Sequence, residues 1–481
     1  MSKSTVPETR DWLRPALIGV LAITVLRVIL LAFNKTDLFV DEAQYWLWGQ
    51  ELAFGYYSKP PLIGWVIRAF TEIGGNAQFW IRLPGPLFHA ANALLLGAIA
   101  ARLFDARVAI VTALAYITLP MVALASLLIS TDTIMFPFLA AALLGYLRVL
   151  DRGEAHIAIL AGLALGAAFM AKYAAIYYVI CALLAALAVA NARPSPRSAL
   201  LICVAFLAAI SPNLLWNIAN GFTTVQHTLD NADWVRDPAT RAGLNLSGLL
   251  EFFTSQFAVT GPILFATLLI AAARWRHRTP AQRLLLTFAL PILALVCAQA
   301  LLSKAYANWA AATYLAGTIL SVSFLLKQHR AWLIASFVVN GALCLLFPVA
   351  TTMPQTLTVN GQPLLNRYIG RTEMSATILQ TARAQNLTTI LATDRDILAD
   401  LFYNARDTDI TIRALPPKGR APHHYALRFP YQTGPAEILL VLSAKDAPPC
   451  VATKLAEITP LTGAYRSHPQ TLYRAPGDCV D

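Results

Sequence analysis

Residues 13–33, LRPALIGVLAITVLRVILLAF, form a long apolar run near the start of the chain. A helix needs about 20 mainly apolar residues to cross the hydrocarbon core of a bilayer, so this run is long enough for one membrane span. Arg10 and Arg14 stand at its N-terminal end, no small-residue cleavage site follows it, and further apolar runs come later. The run therefore predicts a retained signal anchor with its N-terminus on the inside of the membrane.

The whole chain has the composition of a polytopic helical membrane protein. Of its 481 residues, 57% are hydrophobic and only 13% are charged, whereas soluble domains carry about 25% charged residues. The apolar runs predict about eleven membrane spans, at residues 13–33, 83–101, 108–127, 133–150, 156–171, 174–191, 199–218, 256–273, 283–302, 308–326 and 331–350. The net charge of +11 is then a matter of membrane topology and does not indicate nucleic-acid binding.

The connections between the predicted spans alternate in charge. With the N-terminus inside, every inside connection is basic, in agreement with the positive-inside rule. These connections hold Arg102 and Arg107, Arg148 and Arg152, Arg193 and Arg197, Arg274, Arg276, Arg278 and Arg283, and Lys327 and Arg330. Two outside connections are long, at residues 34–82 and 220–255, and the chain beyond residue 350 also lies outside. We therefore predict a membrane domain over residues 1–350 and an outer domain over residues 351–481.

The outer domain differs in composition from the rest of the chain. It is polar, and its short apolar runs predict buried strands at 388–392 and 437–442 and a helix at 395–405, which together indicate a small α/β domain. Cys450 and Cys479 are the two cysteines of this domain, and an oxidising compartment would allow them to form a disulfide. The His423-His424 pair is expected to be a solvated surface pair.

The first outside connection contains the most unusual sequence, with FVDEAQYWLW at residues 39–48 and GYYSKPPL at residues 55–62. Apolar and polar residues mix at helical spacing at 43–54 and 62–73, which predicts two helices lying on the outer membrane surface. Asp41 could take part in catalysis, or it could cap a helix that starts at Glu42. Lys59 could bind a substrate phosphate, or it could anchor the segment at the interface.

The ionisable residues predicted near the outer face come from separate connections but share one side of the membrane. They are Asp41, Glu42, Lys59, Arg82, Asp132, Lys172, His227 and Lys304. Sugar transfer from a polyprenyl phosphate needs this combination, because cations must receive the charge of the leaving phosphate and a carboxylate must accept the proton of the acceptor hydroxyl. For Asp132 the alternative is a helix N-cap, and for Lys172 and Lys304 it is an interfacial anchor.

Several motifs resemble the bacterial GT-C glycosyltransferases, in particular the aminoarabinose transferases, the protein O-mannosyltransferase-like enzymes and the rhizobial galacturonosyltransferases. They are the runs at 41–46 and 56–62, Arg82-Leu83-Pro84, Ser130-Thr131-Asp132, residues 217–228 and Ala307-Asn308-Trp309-Ala310. The resemblance covers residues 10–350. It implies an inverting transferase in the bacterial inner membrane, whose active site and C-terminal domain face the periplasm. The implied partners are a polyprenyl-phosphate sugar, a lipid or glycan acceptor and membrane lipids, but no nucleic acid.

The resemblance also implies roles for single residues. Asp41 would be the catalytic base with Glu42 in support, and Asp132 would be a second carboxylate of the site. Lys59 would bind the donor phosphate, with Tyr56 nearby. Their predicted position on the outer side adds Arg82, Lys172 and Lys304 as candidates for binding this phosphate, and the alternative for Arg82 is that it only orients the second span. His227 matches a region that holds a metal-ligating histidine in related enzymes.

The sequence leaves open whether the site binds a divalent metal ion. Relatives often carry Glu-Lys-Pro-Pro where this chain has Ser58-Lys59-Pro60-Pro61, so one expected carboxylate ligand is absent. Glu42 or Asp132 could replace it. A second reading of the whole chain, a transporter or flippase for lipid-linked sugars, predicts internal repeats and charges near the bilayer midplane. The sequence shows no internal repeat, and the ionisable residues cluster at one face of the membrane, which favours the enzyme.

Overall fold

A computed structural model describes residues 10–231 and 244–479 of the chain, and helices dominate these residues. The helices are α1 Leu13–Ala32, α2 Val40–Gln50, α3 Leu62–Gly74, α4 Gln78–Arg82, α5 Pro84–Leu103, α6 Ala106–Ile117, α7 Pro120–Ala125, α8 Thr131–Arg152, α9 Ala155–Ala171, α10 Ile176–Ala188, α11 Pro196–Ala219, α12 Thr223–Asn231, α13 Leu246–Thr260, α14 Pro262–Ala273, α15 Pro280–Thr287, α16 Leu290–Leu302, α17 Thr313–Gln328, α18 Arg330–Thr352, α19 Arg371–Ala384, α20 Arg395–Asn404 and α21 His424–Arg428. The predicted class, a helical membrane protein with a small C-terminal sheet domain, is confirmed.

The chain forms two compact units. The first contains the residues up to Ala32, Lys59–Ile63 and Arg82–Pro348. The second contains Phe33–Ser58, Gly64–Ile81 and the residues from Val349 onward. Most of the first outside connection therefore belongs to the same unit as the C-terminal domain.

Helices occur in every predicted span, although they vary in length. Within the described residues, six helical segments are long and apolar enough to cross a membrane, or seven if one bent pair forms a single span. The six are Leu13–Ala32, Gln78–Leu103, Thr131–Arg152, Pro196–Ala219, Pro280–Leu302 and Arg330–Thr352, and shorter apolar helices cover Ala106–Ile117, Ala155–Ala171 and Tyr173–Ala188. The number of about eleven spans stays a prediction.

The span predicted at 256–273 is wrong as a continuous helix. Helices α13 and α14 meet there at a bend of 116°. Gly261, between them, has φ +88°, and a Cβ at this position would lie 2.2 Å from Oδ1 of Asn340. Pro262 then begins α14, where its missing N–H is tolerated. The Gly-Pro step therefore ends one helix and starts the next.

Small residues bring three helices of the first unit together. A Cβ on Gly162 of α9 would lie 2.3 Å from the carbonyl oxygen of Ile202 in α11, and one on Gly166 would lie 2.4 Å from Cβ of Ala209. On its other side α9 packs against α8, where a Cβ on Gly145 would lie 2.8 Å from Cβ of Ala161. Such close backbone approach is typical of helix packing in membranes. It fixes the N-terminus of α8 relative to the C-terminus of α9.

The second unit contains a five-stranded mixed sheet. Its strands are β3 Thr389–Ala392, β4 Thr411–Ala414, β5 Ile438–Ser443, β6 Thr453–Ile458 and β7 Gln470–Ala475, and a separate hairpin is formed by β1 Thr358–Val359 and β2 Gln362–Pro363. The strand order is β4-β3-β5-β7-β6, with β3 parallel to β4 and β5, and β7 antiparallel to β5 and β6. The two predicted strands and the predicted helix at 395–405 are confirmed as β3, β5 and α20.

Two expectations about side chains of this domain had different outcomes. The predicted disulfide between Cys450 and Cys479 is present and closes a loop of sequence separation 29. The prediction that His423 and His424 are solvated is wrong, because both side chains are buried. His424 packs edge-on against Trp48, with 5.8 Å between the ring centroids, and its burial lowers its pKa to about 3.

The first outside connection forms the two predicted helices, α2 and α3. The segment before α2 is fixed to the C-terminal domain, because the Asp37 carboxylate accepts hydrogen bonds from the backbone N–H of Arg371 at 2.8 Å and from Oγ1 of Thr372 at 2.7 Å. Trp46 of α2 packs edge-on against Tyr403 of α20, with 5.1 Å between the ring centroids. The location of these helices on the membrane surface stays a prediction.

Candidate active site

Asp41 lies in the first turn of α2, one residue after the helix begins at Val40. The alternative that Asp41 caps a helix starting at Glu42 is therefore wrong. Its Oδ1 accepts a hydrogen bond from Nη2 of Arg395 at 2.5 Å, and its side chain is 46% exposed. Nε of Arg395 also donates to Oε1 of Gln44 at 3.1 Å. A half-exposed carboxylate held through one oxygen can still accept a proton from a substrate hydroxyl.

The sequence did not predict a role for Arg395 beside Asp41. A helix starting at this position was predicted, but its partner Asp41 is 354 residues away in the chain. The cap at Asp394, whose Oδ1 accepts from the backbone N–H groups of Asp396 and Ile397, marks where the helix begins. A local pattern of this kind identifies the element but carries no information about a distant partner.

Glu42, the neighbour of Asp41, is buried, with 2% of its surface exposed. Its Oε2 accepts a hydrogen bond from the backbone N–H of Phe39 at 2.9 Å, and Phe39 is the residue before α2. This contact satisfies one of the N–H groups that the start of a helix leaves without a partner inside the helix. Glu42 thus stabilises the turn that presents Asp41.

Tyr56 is also buried and is bound to its own loop. Its hydroxyl lies 2.8 Å from the carbonyl oxygen of Trp48 and 3.1 Å from that of Glu51, and it accepts from the N–H of Ala53 at 3.2 Å. Its ring stacks on Trp48 with 4.8 Å between the centroids. Burial raises the pKa of Tyr56 to about 12, which keeps the phenol protonated. These contacts order the chain that leads to Ser58 and Lys59.

Ser58 lies at the position where the resemblance to related enzymes implies a carboxylate. Its Oγ accepts from Nε2 of Gln44 at 3.5 Å, and Gln44 also contacts Arg395. The hydroxyl therefore belongs to the same polar group as Asp41 within the second unit.

A second carboxylate group lies in the first unit and is centred on Asp132. Both of its oxygens accept hydrogen bonds from Nζ of Lys172 at 2.8 Å, and Oδ2 also accepts from Nδ2 of Asn308 at 3.1 Å. Asp132 is 8% exposed. The N-cap of α8 is Ser130, whose Oγ accepts from the N–H of Thr133, so the alternative that Asp132 is the cap is wrong. Asn308 lies in a quoted sequence motif but had no predicted role.

The remaining predicted cations also lie in the first unit. Lys59 is half-buried, Arg82 ends α4 and is 1% exposed, and Lys304 is exposed just after α16. The predicted site residues are thus divided between the units: Lys59, Arg82, Asp132, Lys172, His227 and Lys304 in the first, and Asp41, Glu42 and Tyr56 in the second. Their convergence in one site stays a prediction.

The residues that would hold a metal ion do not form a ligand set. Across residues 10–231 and 244–479, no group of three or more His, Cys, Asp or Glu side chains is placed to hold one. His227 lies on α12, and Asp132, an alternative ligand, is bound by Lys172 and Asn308. A divalent ion bound at His227 therefore stays a prediction.

Known proteins resemble the chain both locally and over its whole length. Residues 58–216 match the family of dolichyl-phosphate-mannose-protein mannosyltransferases. The chain is 42% identical to the lipid A galacturonosyltransferase RgtD of Rhizobium johnstonii, over 97% of this chain and 99% of the relative. It belongs to this family of GT-C glycosyltransferases. The lipopolysaccharide core galacturonosyltransferase RgtA of the same organism is 29% identical over 50% of each chain.

The fold of this glycosyltransferase also agrees with a solved structure. The crystal structure of ArnT from Cupriavidus metallidurans in the apo state matches with a TM-score of 0.61 and 14% identity, over 98% of this chain and 99% of that chain. The same protein bound to undecaprenyl phosphate matches with a TM-score of 0.60 and 13% identity, with the same coverage. Family membership decides between the two functional readings: the chain is a membrane-embedded transferase, not a transporter.

Proposed function

We propose that this enzyme transfers a galacturonosyl residue from a polyprenyl-phosphate donor to a lipid A acceptor, at the periplasmic face of a bacterial inner membrane. The observation that carries the proposal is the 42% identity to a lipid A galacturonosyltransferase along nearly the full length of both chains. The basic inside connections and the disulfide between Cys450 and Cys479 support the assignment of the C-terminal domain to an oxidising outer compartment.

The reaction is a single displacement with inversion at the sugar. A hydroxyl oxygen of the acceptor attacks the anomeric carbon, the bond between that carbon and the phosphate oxygen breaks, and its electron pair stays on the lipid phosphate. Asp41 takes the hydroxyl proton, because its side chain is 46% exposed and its contact with Arg395 involves only Oδ1. Glu42 holds the backbone turn on which Asp41 lies.

The phosphate that leaves the sugar carries growing negative charge and needs cations around it. We assign this role to four residues of the first unit, Lys59, Arg82, Lys172 and Lys304. Nζ of Lys172 lies 2.8 Å from both oxygens of Asp132, and an ammonium group carries three N–H donors, so Lys172 can also donate to a phosphate oxygen. Asp132 then acts by orienting Lys172, and Tyr56 acts by ordering the loop before Lys59.

Two measurements test the proposal. Lipid A from a deletion strain should lack one hexuronic acid by mass spectrometry and should regain it when the wild-type gene is restored. The purified chain should transfer galacturonic acid from its polyprenyl phosphate to lipid A in detergent. Loss of a neutral sugar from the deletion strain would refute the donor, and a change confined to the core or to protein would refute the acceptor.

A further inference from the structure

Arg395 of the C-terminal domain contacts α2, the helix that carries Asp41. We propose that Arg395 is a positioning residue for Asp41, so that the C-terminal domain completes the catalytic centre; this inference rests on the proposed function. Nothing in the local sequence around Arg395 indicates such a role.

The guanidinium of Arg395 binds α2 at two points. Nη2 donates to Oδ1 of Asp41 at 2.5 Å, and Nε donates to Oε1 of Gln44 at 3.1 Å. Residues three apart lie on one face of a helix, so a planar guanidinium can reach both. This two-point contact fixes the rotation of the Asp41 carboxylate and the direction of its second oxygen.

Arg395 is itself held in place. It is the first residue of α20, whose start is capped by Asp394. Two turns along the same helix, Tyr403 packs against Trp46 of α2, and both side chains bind Asn76: Tyr403 donates to its carbonyl oxygen and Trp46 to its Oδ1, each at 2.8 Å. The helix that carries Arg395 is therefore docked on the helix that carries Asp41, and a side chain on a rigid element can position another.

A second ion pair between the same two segments gives a matched control. Nη2 of Arg428 contacts Oε2 of Glu51 at 3.0 Å, with side chains that are 57% and 64% exposed. Glu51 directly follows α2, so this pair also joins the C-terminal domain to the first outside connection. The pair lies past the C-terminal end of α2, whereas Asp41 is in the first turn of that helix, and exposed pairs contribute little to stability.

Without Arg395, the half-exposed carboxylate would sample several rotamers, and a general base that is misplaced by about 1 Å loses about 100-fold in rate. We therefore expect the Arg395→Ala full-length enzyme to lose about 10- to 100-fold in kcat. Its KM values for the donor and the acceptor should stay unchanged, since a positioning residue acts on Asp41 and not on either substrate.

The experiment compares wild type, Arg395→Ala, Arg395→Lys and Arg428→Ala in the galacturonosyl transfer assay, with thermal unfolding of each as a check on folding. We expect Arg395→Lys to retain more activity than Arg395→Ala, because a lysine can still reach Asp41. Added guanidinium ion at millimolar concentration should restore part of the activity of Arg395→Ala but none of that of Asp41→Asn. Arg428→Ala should match wild type.

Three outcomes would overturn the inference. One is an Arg395→Ala enzyme as active as wild type; another is an equal loss in Arg428→Ala, which would indicate general docking of the domain. The third is a change in KM alone, which would make Arg395 a substrate-binding residue. If Arg395→Ala unfolds, the comparison of Arg395→Lys with wild type decides by the same kcat criterion. If the wild-type enzyme shows no galacturonosyl transfer, the proposed function itself is refuted. If the wild type is active, the results with the variants bear only on the role of Arg395.

Discussion

Asp41 and Asp132 are two carboxylates with the same kinds of partner but different surroundings. Each is bound by one cation, and an amide side chain lies beside each pair: Arg395 and Gln44 next to Asp41, Lys172 and Asn308 next to Asp132. The Asp132 side chain is 11% exposed and both of its oxygens accept from Lys172, whereas the Asp41 side chain is 46% exposed and binds Arg395 through one oxygen.

The comparison shows that burial and hydrogen-bond occupancy, more than residue type, decide what a carboxylate can do. Asp132 joins the start of α8, the residue after α9 and the turn before α17, so it is suited to hold three segments in place. Asp41 is half-exposed and is bound to Arg395 through Oδ1, so it is suited to accept a proton.

The largest effect is expected for Asp41→Asn. An amide cannot accept the hydroxyl proton, so kcat should fall by about 10²- to 10⁴-fold, while the thermal unfolding temperature stays near that of wild type. Turnover of the purified full-length enzyme measures this directly. A near-normal kcat would show that Asp41 is not the base, and the proposed difference in role between Asp41 and Asp132 would then be wrong.

The next effect is expected for Lys172→Met, which leaves the Asp132 carboxylate nearly buried without its cation. Removing one partner of a buried pair costs about 3 kcal/mol, which thermal unfolding in detergent should register. The control is Arg152→Met, which breaks the exposed pair with Glu154 in the same unit and should cost less than about 1 kcal/mol. Equal shifts in the two variants would mean that Asp132 is no more than a surface group.

A smaller effect is expected for Lys59→Ala. If the cations of the first unit bind the donor phosphate, this change should raise the donor KM by about 10- to 100-fold through the loss of one charge-assisted hydrogen bond. The acceptor KM should not change. Arg395→Ala should show the opposite pattern, with a lower kcat and an unchanged donor KM. An unchanged donor KM in Lys59→Ala would indicate that Lys59 is an interfacial anchor.

The smallest effect concerns the stability of the unit that holds Asp41. Burial lowers the pKa of His424 to about 3, so below pH 6.5 the unfolded chain binds a proton that the folded chain does not, and stability falls as the pH falls. Between pH 7.5 and 5.5 the loss is about 1 kcal/mol. His424→Phe should reduce this dependence in thermal unfolding, and the exposed His468→Gln should not. Equal pH dependence in wild type and His424→Phe would contradict the assignment.

Much of the fold could be predicted because it depends on local patterns. Apolar runs of bilayer length, basic inside connections and short strands between turns all leave signals within a few residues of each other. The same locality explains the errors: the Gly261-Pro262 step interrupts an apolar run that looks continuous, and the burial of His424 depends on Trp48, which comes far earlier in the chain.

Composition and short motifs were enough to predict the membrane class, the α/β character of the C-terminal domain, the disulfide and the candidate residues. Which cation each carboxylate binds follows from contacts between segments that are far apart in the chain. Arg395 reaches Asp41 across 354 residues and Asn308 reaches Asp132 across 176, because the fold brings these segments together. Contacts at such separations are set by the packing of whole helices, which no local pattern encodes.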